Sequence, residues 1–301
     1  MSRIITVFGA TGNQGGSVIK HLLADSQLSR QFKIRAVTRD LAKPAAQALA
    51  KQGVSLVKAD LNSRVSISEA IKGSDTVFLV TNYWESADPS VERTQGKTVA
   101  DVAKDLGVSH LIFSSLLNVT ETSGGKLKNV PHFDSKADVE KYIRSLGIPA
   151  TFVLAGYFMS NYTTMLQKQD DGSYSLAYPV GRETRFPLFE PAEDTGKFVK
   201  VALKHPEAYR GKQVLMAADY YTVDRITSDF EEATGKRLNF LQVSAEQYKS
   251  FLPKAIADEM LENHLFVENP GYYNGASLKE SLDALEDKPT TWKEYAKKTF
   301  A

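Results

Sequence analysis

Six residues near the start of the chain, Gly9, Thr11, Gly12, Asn13, Gln14 and Gly15, carry a G-x-x-G-x-x-G spacing. They follow an apolar β-branched run and open an amphipathic helical pattern. Glycines so placed permit a tight turn and bring the free N–H groups of a helix N-terminus up to a pyrophosphate. With a strand before it and a helix after it, the loop has the setting that a dinucleotide site requires. The second strand ends Ala36-Val37-Thr38-Arg39. A carboxylate at this point would hold the ribose 2′-hydroxyl of NAD, whereas an arginine holds the 2′-phosphate of NADP. The planar guanidinium of Arg39 makes a charge-assisted contact worth about 1.5–3 kcal/mol, and Lys43 adds a second positive charge. Asp40 is the nearby carboxylate that could turn toward the ribose instead. NADP(H) is the expected cofactor.

Further candidates stand at the ends of later strands. Asp60 follows the third strand as an acceptor for the adenine amino group, with Leu61 packing on the ring. Thr81, Asn82, Tyr83 and Trp84 follow the fourth, at the edge where open α/β sheets bind ligands; of these Trp84 is expected to be structural. Ser114 ends the fifth strand. His132 and Lys136 are four residues apart and share a face when helical. Val139, Tyr142, Ile143 and Leu146 mark the buried stripe of that helix, and Lys136 lies on its extension. The ammonium is therefore expected at the nicotinamide ribose and the imidazole in a substrate cleft. Gly156, Tyr157 and Phe158 end the sixth strand, Gly156 permitting close backbone approach and either aromatic ring packing on the nicotinamide. Glu231-Glu232, and Glu259 with Glu262, read as solvated helix faces.

These residues need a scaffold, and the pattern supplies one. Up to about Leu154, short β-branched runs alternate with helical periods, as βαβ units do. Strands are expected at Ile4 to Phe8, Ile34 to Thr38, Ser55 to Lys58, Thr76 to Val80, Leu111 to Ser114 and Thr151 to Leu154. Helices are expected at Gln14 to Leu23, Ala42 to Lys51, Ile67 to Ile71, Ser90 to Leu106 and Asp134 to Leu146, two of them closed by Gly107 and Gly147. The fold class is α/β, a Rossmann-type doubly wound parallel sheet over residues 1–156 with a smaller mixed α/β lobe over 157–301. In that lobe Asp194 to Leu203, Val223 to Thr234 and Ala245 to Phe251 read as helices, the last opened by a Ser244–Gln247 capping box. Lys212 to Ala217 and Leu238 to Val243 read as strands that extend the main sheet or pair with each other.

The composition is that of an ordinary globular chain: 301 residues, 42% hydrophobic and 24% charged. With 37 basic against 36 acidic residues the net charge is +1, so no basic excess marks a nucleic-acid or membrane surface. The absence of cysteine excludes disulfides, thiolate metal sites and cysteine nucleophiles. The five histidines show no metal-like pairing. With no apolar run of membrane-spanning length and no signal-peptide pattern, a cytoplasmic location is expected, the nucleus being left open.

Val7-Phe8-Gly9, Gly12 to Ser17, Val37-Thr38-Arg39, Val80 to Ser86 and His132-Phe133-Asp134 together resemble the NmrA-like branch of the atypical short-chain dehydrogenase/reductases. The resemblance implies a two-lobed NADP(H)-binding protein, often a regulator and not a catalyst. Active members of the wider superfamily use a Tyr-x-x-x-Lys pair; here His132 stands at the tyrosine position and only Lys136 remains. Regulatory members pair with proteins, in one fungal case a zinc-finger transcription factor. Two expectations follow. The favoured one is a redox sensor, monomer or homodimer, that binds NADP(H) without turnover and a protein partner through mobile loops at Thr81 to Pro89 and Thr120 to Pro131. The alternative is an NADPH-dependent reductase of a quinone, enone or similar small molecule, with Lys136 or His132 supplying the proton.

Overall fold

The computed structural model describes residues 2–301. Its first half forms β1 (Arg3–Val7), β2 (Phe32–Thr38), β3 (Ser55–Lys58), β4 (Thr76–Leu79), β5 (His110–Ser115) and β6 (Ala150–Ala155). Every residue of β4, β5 and β6 is buried, because helices cover both faces of the sheet, and strands buried on both faces read as continuous apolar runs. The second half adds β7 (Tyr157–Phe158), β8 (Gln167–Lys168), β9 (Tyr174–Tyr178), β10 (Arg185–Phe189), β11 (Gln213–Met216), β12 (Asp219–Thr222) and β13 (Leu238–Gln242).

The main sheet has seven strands in the order β11-β6-β5-β4-β1-β2-β3, all parallel. The order turns around between β1 and β4, the point where such sheets open a crevice for ligands. β11 runs beside β6 with Val214 opposite Val153, so the Lys212 to Ala217 segment extends the sheet. Leu238 to Val243 does neither of the things expected of it: β13 pairs with β9 in a separate small sheet. A third sheet joins β12, β10 and β7.

The helices that position the site are α1 (Asn13–Ala24), α2 (Pro44–Lys51), α3 (Arg64–Ile71), α4 (Pro89–Asp105), α5 (Pro131–Leu146), α6 (Pro191–Lys204), α7 (Val223–Thr234), α8 (Ala245–Ser250), α9 (Ala257–Phe266) and α10 (Trp292–Phe300). α1 packs on α6 closely enough that a Cβ on Gly196 would lie 2.4 Å from Ser17 O, and the Gly196 N–H donates to Ser17 Oγ at 3.0 Å. α10 anchors the chain end through fully buried Trp292, whose Nε1–H donates to Ile226 O of α7 at 2.9 Å. Among the described residues no helix is long and apolar enough to cross a membrane.

Candidate functional site

The glycine loop closes tightly at the end of β1. Gly9 adopts φ +66°, and a Cβ on Gly15 would lie 2.3 Å from Gly9 O and 2.8 Å from Phe8 O, so neither position accepts a side chain. α1 begins at Gly12 without a side-chain cap. The orphan N–H groups of its first turn are therefore open to an anion, and this cradle fits the pyrophosphate of a dinucleotide. Ser114 Oγ ties the loop to β5 by donating to Gln14 Oε1 at 2.8 Å.

At the far end of β2 the Arg39 guanidinium is exposed and paired with Glu85, a partner that sequence reasoning did not name. Asp40 bends back on its own turn: its Oδ1 accepts the Ala42 N–H at 2.8 Å. Asp60 likewise builds its own turn, accepting the Asn62 N–H at 2.8 Å.

Lys136 sits on α5 in a buried polar knot. Its Nζ donates to Thr81 Oγ1 at 2.9 Å and Thr81 O at 3.2 Å and pairs with Glu92 of α4. Glu92 is 1% exposed and also accepts from the Thr81 hydroxyl at 2.7 Å and from the Ser135 hydroxyl. Burial pulls the Lys136 pKa down and the Glu92 charge opposes that shift.

His132, one turn earlier, is held from α9. Its Nδ1 pairs with Glu259 of α9, and its backbone N–H approaches the same oxygen at 3.3 Å. Tyr83 donates its hydroxyl to the second Glu259 oxygen at 3.3 Å, and burial first, then Glu259, pushes the Tyr83 pKa up to about 12. Trp84 and Phe133 flank the imidazole with ring centroids at 5.0 and 4.9 Å.

Several sequence expectations are corrected here. Glu259 is no solvated face; it is buried against His132 and Tyr83. Glu262 accepts the backbone N–H groups of Lys128 and Asn129 at 2.6 and 2.7 Å, so the Thr120 to Pro131 loop is clamped from α9. Trp84, expected to be structural, is half-exposed, whereas its neighbour Tyr83 is buried. Tyr157 turns its hydroxyl toward His264 Nε2 at 3.3 Å and Met165 Sδ at 3.2 Å. At Gly156 the close approach is made by the protein itself: a Cβ there would lie 2.4 Å from Pro187 O and 2.7 Å from Met216 O.

All the candidates, from the Gly9–Gly15 loop through Arg39, Lys43, Asp60, Leu61, Thr81, Asn82, Tyr83 and Ser114 to His132, Lys136, Gly156, Tyr157 and Phe158, line one cleft of about 900 Å³. That volume is at the upper end of small-ligand sites, about 300–1,000 Å³. Sequence reasoning missed Glu85 and the contribution of the second half of the chain, Ile256, Met260, Asn263, His264 and Tyr272. It also missed Glu92, although its spacing to buried Gly96, Val99 and Ala103 on α4 places an acid on an inward stripe. The arrangement can hold phosphates at α1, discriminate a 2′-phosphate with Arg39, donate to hydroxyls from Lys136 and exchange a proton at His132.

Comparison with known proteins agrees with this architecture. The chain is 32% identical over 260 residues to the NmrA-like family domain-containing oxidoreductase malD of Malbranchea aurantiaca, covering 81% of this chain and 76% of that one. NmrA, a negative transcriptional regulator solved in complex with NADP, superposes with a TM-score of 0.83 at 23% identity, covering 99% of this chain and 95% of NmrA. The triphenylmethane reductase of Citrobacter sp., complexed with NADP(H), gives a TM-score of 0.80 at 22% identity over 98% and 100% of the two chains. The family model for NmrA-like proteins matches residues 1–296, and the chain belongs to the NmrA-like family.

Proposed function

We propose that the chain binds NADP(H) and reduces a small conjugated acceptor, a quinone or an enone, in the part of the cleft beside α9. One observation carries this reading: a single cleft is lined by the uncapped end of α1 and Arg39, by Lys136 and His132, and by Met260, Asn263 and His264 from the second half of the chain. The Gly9–Gly15 loop would take the pyrophosphate, Arg39 and Lys43 the 2′-phosphate, and Lys136 the hydroxyls of the ribose nearer the nicotinamide. When bound, the reduced nicotinamide supplies hydride. The protein's own residues hold the acceptor, keep water out and provide a proton from His132 or Lys136, help worth about 100- to 10,000-fold when well placed. The NADP carried by the two solved neighbours and the oxidoreductase name of malD support this reading. The test is NADPH consumption by purified protein, once binding is confirmed, against quinones, enones and aldehydes. Oxidation with one of these acceptor classes is expected; tight NADPH binding with no oxidation by any of them overturns the reading.

A second reading, the NADP(H) sensor with a protein partner, is favoured by a different observation. The Arg39–Glu85 pair joins the cofactor site to the loop that carries half-exposed Trp84. A 2′-phosphate on Arg39 displaces Glu85, and the loop surface then differs between occupied and empty protein, which is the differential binding that a sensor needs. Hydrogen exchange across residues 81–89 should change with NADPH and much less with NADH. Identical exchange in all states removes this reading.

A further inference from the structure

Glu259 is 8% exposed, and a buried carboxylate requires either a cation or a full set of donors. Its partners are the Tyr83 hydroxyl at 3.3 Å, the His132 backbone N–H at 3.3 Å and the His132 ring. Among the described residues no lysine or arginine pairs with it, so the one cation that can form beside it is the His132 imidazolium. An ionised carboxylate only accepts, so Nδ1 carries the shared hydrogen. That leaves Nε2, the second ring nitrogen, to exchange a proton.

His264 shows what a structural histidine looks like in the same molecule. Its Nδ1 meets Tyr248 Oη at 3.1 Å and Met260 O at 2.9 Å, and its Nε2 meets Tyr157 Oη at 3.3 Å. His132 Nε2, in contrast, has no hydrogen-bond partner among the described residues, and the residue lines the cleft. Of the other titratable groups nearby, Lys136 is already paired with Glu92, and Tyr83 holds its proton to about 12, chiefly through burial.

We propose that His132 and Glu259 form a carboxylate–imidazole dyad: Glu259, reaching in from α9, fixes the imidazole, and His132 is the acid that protonates the oxygen of a conjugated ketone or quinone acceptor. The proposal rests on the reductase reading above and adds the choice of His132 over Lys136 as the proton source and the role of Glu259 behind it. As the acceptor carbon takes up hydride from the reduced dinucleotide, the imidazolium gives its Nε2 proton to the acceptor oxygen. The acceptor thereby gains hydride and proton, two electrons in all; the dinucleotide is oxidised, and the neutral imidazole regains its proton from water. Glu259 is a positioning residue. It sets the tautomer and holds the ring in place. The flanking Tyr83, Trp84 and Phe133 rings suit a flat acceptor.

Glu259→Gln, His132→Gln and the double variant test this, with menadione and cyclohexenone as acceptors. The first readout is independent of turnover: cofactor-free wild type should show a far-downfield proton resonance from His132 Nδ1–H that is missing from all three variants. In kinetics His132→Gln should lower kcat about 100- to 10,000-fold, and Glu259→Gln by a smaller factor, about 10- to 100-fold, on the scale seen when the carboxylate behind a metal-bound imidazole is removed. NADPH affinity should stay near wild type, and the double variant should be no slower than His132→Gln alone. A Glu259→Gln enzyme with wild-type kcat, or a double variant that loses the product of the two single effects, overturns the dyad. Wild type that binds NADPH and shows the resonance yet oxidises none of the quinones, enones and aldehydes overturns the reductase reading itself and reduces the pair to a strut between the lobes.

Discussion

Arg39 cannot hold Glu85 and a phosphate at full strength together, which makes the cofactor preference measurable at single residues. Arg39→Ala should weaken NADPH binding about 10- to 150-fold by calorimetry, the worth of a charged hydrogen bond, and leave NADH nearly unaffected. Glu85→Gln should tighten NADPH by at most about fivefold, because exposed ion pairs contribute about 0–1 kcal/mol. Lys136 behaves differently. Glu92 lies beneath it with 1% exposure, so Lys136→Ala strands a buried carboxylate and should cost about 3–5 kcal/mol in urea unfolding. Adding Glu92→Gln should recover much of that loss, and lost activity in Lys136→Ala alone then reports stability as well as chemistry. The lysine is legible in the sequence because it continues an apolar stripe. Its partner is legible only to a reader who asks why an acid stands in register with Gly96 and Val99.

Elements specified by local chemistry are the ones the sequence declares. α7 closes at Gly235 and α5 at Gly147, each with φ 69°, and the Ser244–Gln247 capping box forms at the start of α8; each is settled within a few residues. The glycine loop is legible for the same reason, and Gly15→Ala should abolish dinucleotide binding, read by NADPH fluorescence, while the fold's circular dichroism survives. α9 is the counterexample. Asp258, Glu259 and Glu262 give it the look of a solvated helix, and only its docking on the N-terminus of α5 and the loop before it turns two of those acids inward. The carboxylate at that helix end is further favoured by the helix dipole. Glu262→Ala should therefore speed hydrogen exchange at the Lys128 and Asn129 amides without slowing exchange elsewhere. β13 is legible as a strand but its pairing is not, since its partner β9 lies more than fifty residues earlier.

At the scale of the molecule, burial of histidines sets the response to acid. Burial lowers His110 and His264 from 6.5 to about 4. Above 6.5 folded and unfolded chains are both neutral at these sites, and no stability is lost. Between 6.5 and 4 the unfolded chain takes up protons that the folded one refuses, so stability falls, by up to about 3 kcal/mol for each histidine. The melting midpoint should drop as pH goes from 7 to 4, and His264→Gln should flatten that slope. One further consequence lies in β11. It comes from the second half of the chain, yet it covers the open side of β6, while the Tyr272 and Tyr273 hydroxyls donate to Ala155 O and Leu154 O at 3.0 and 2.8 Å. A polypeptide ended near residue 156 would carry β6 as a bare apolar edge, the kind that recruits further strands from neighbouring molecules. A frameshift or nonsense lesion between β6 and β11 should thus yield insoluble material and no free-standing nucleotide trap.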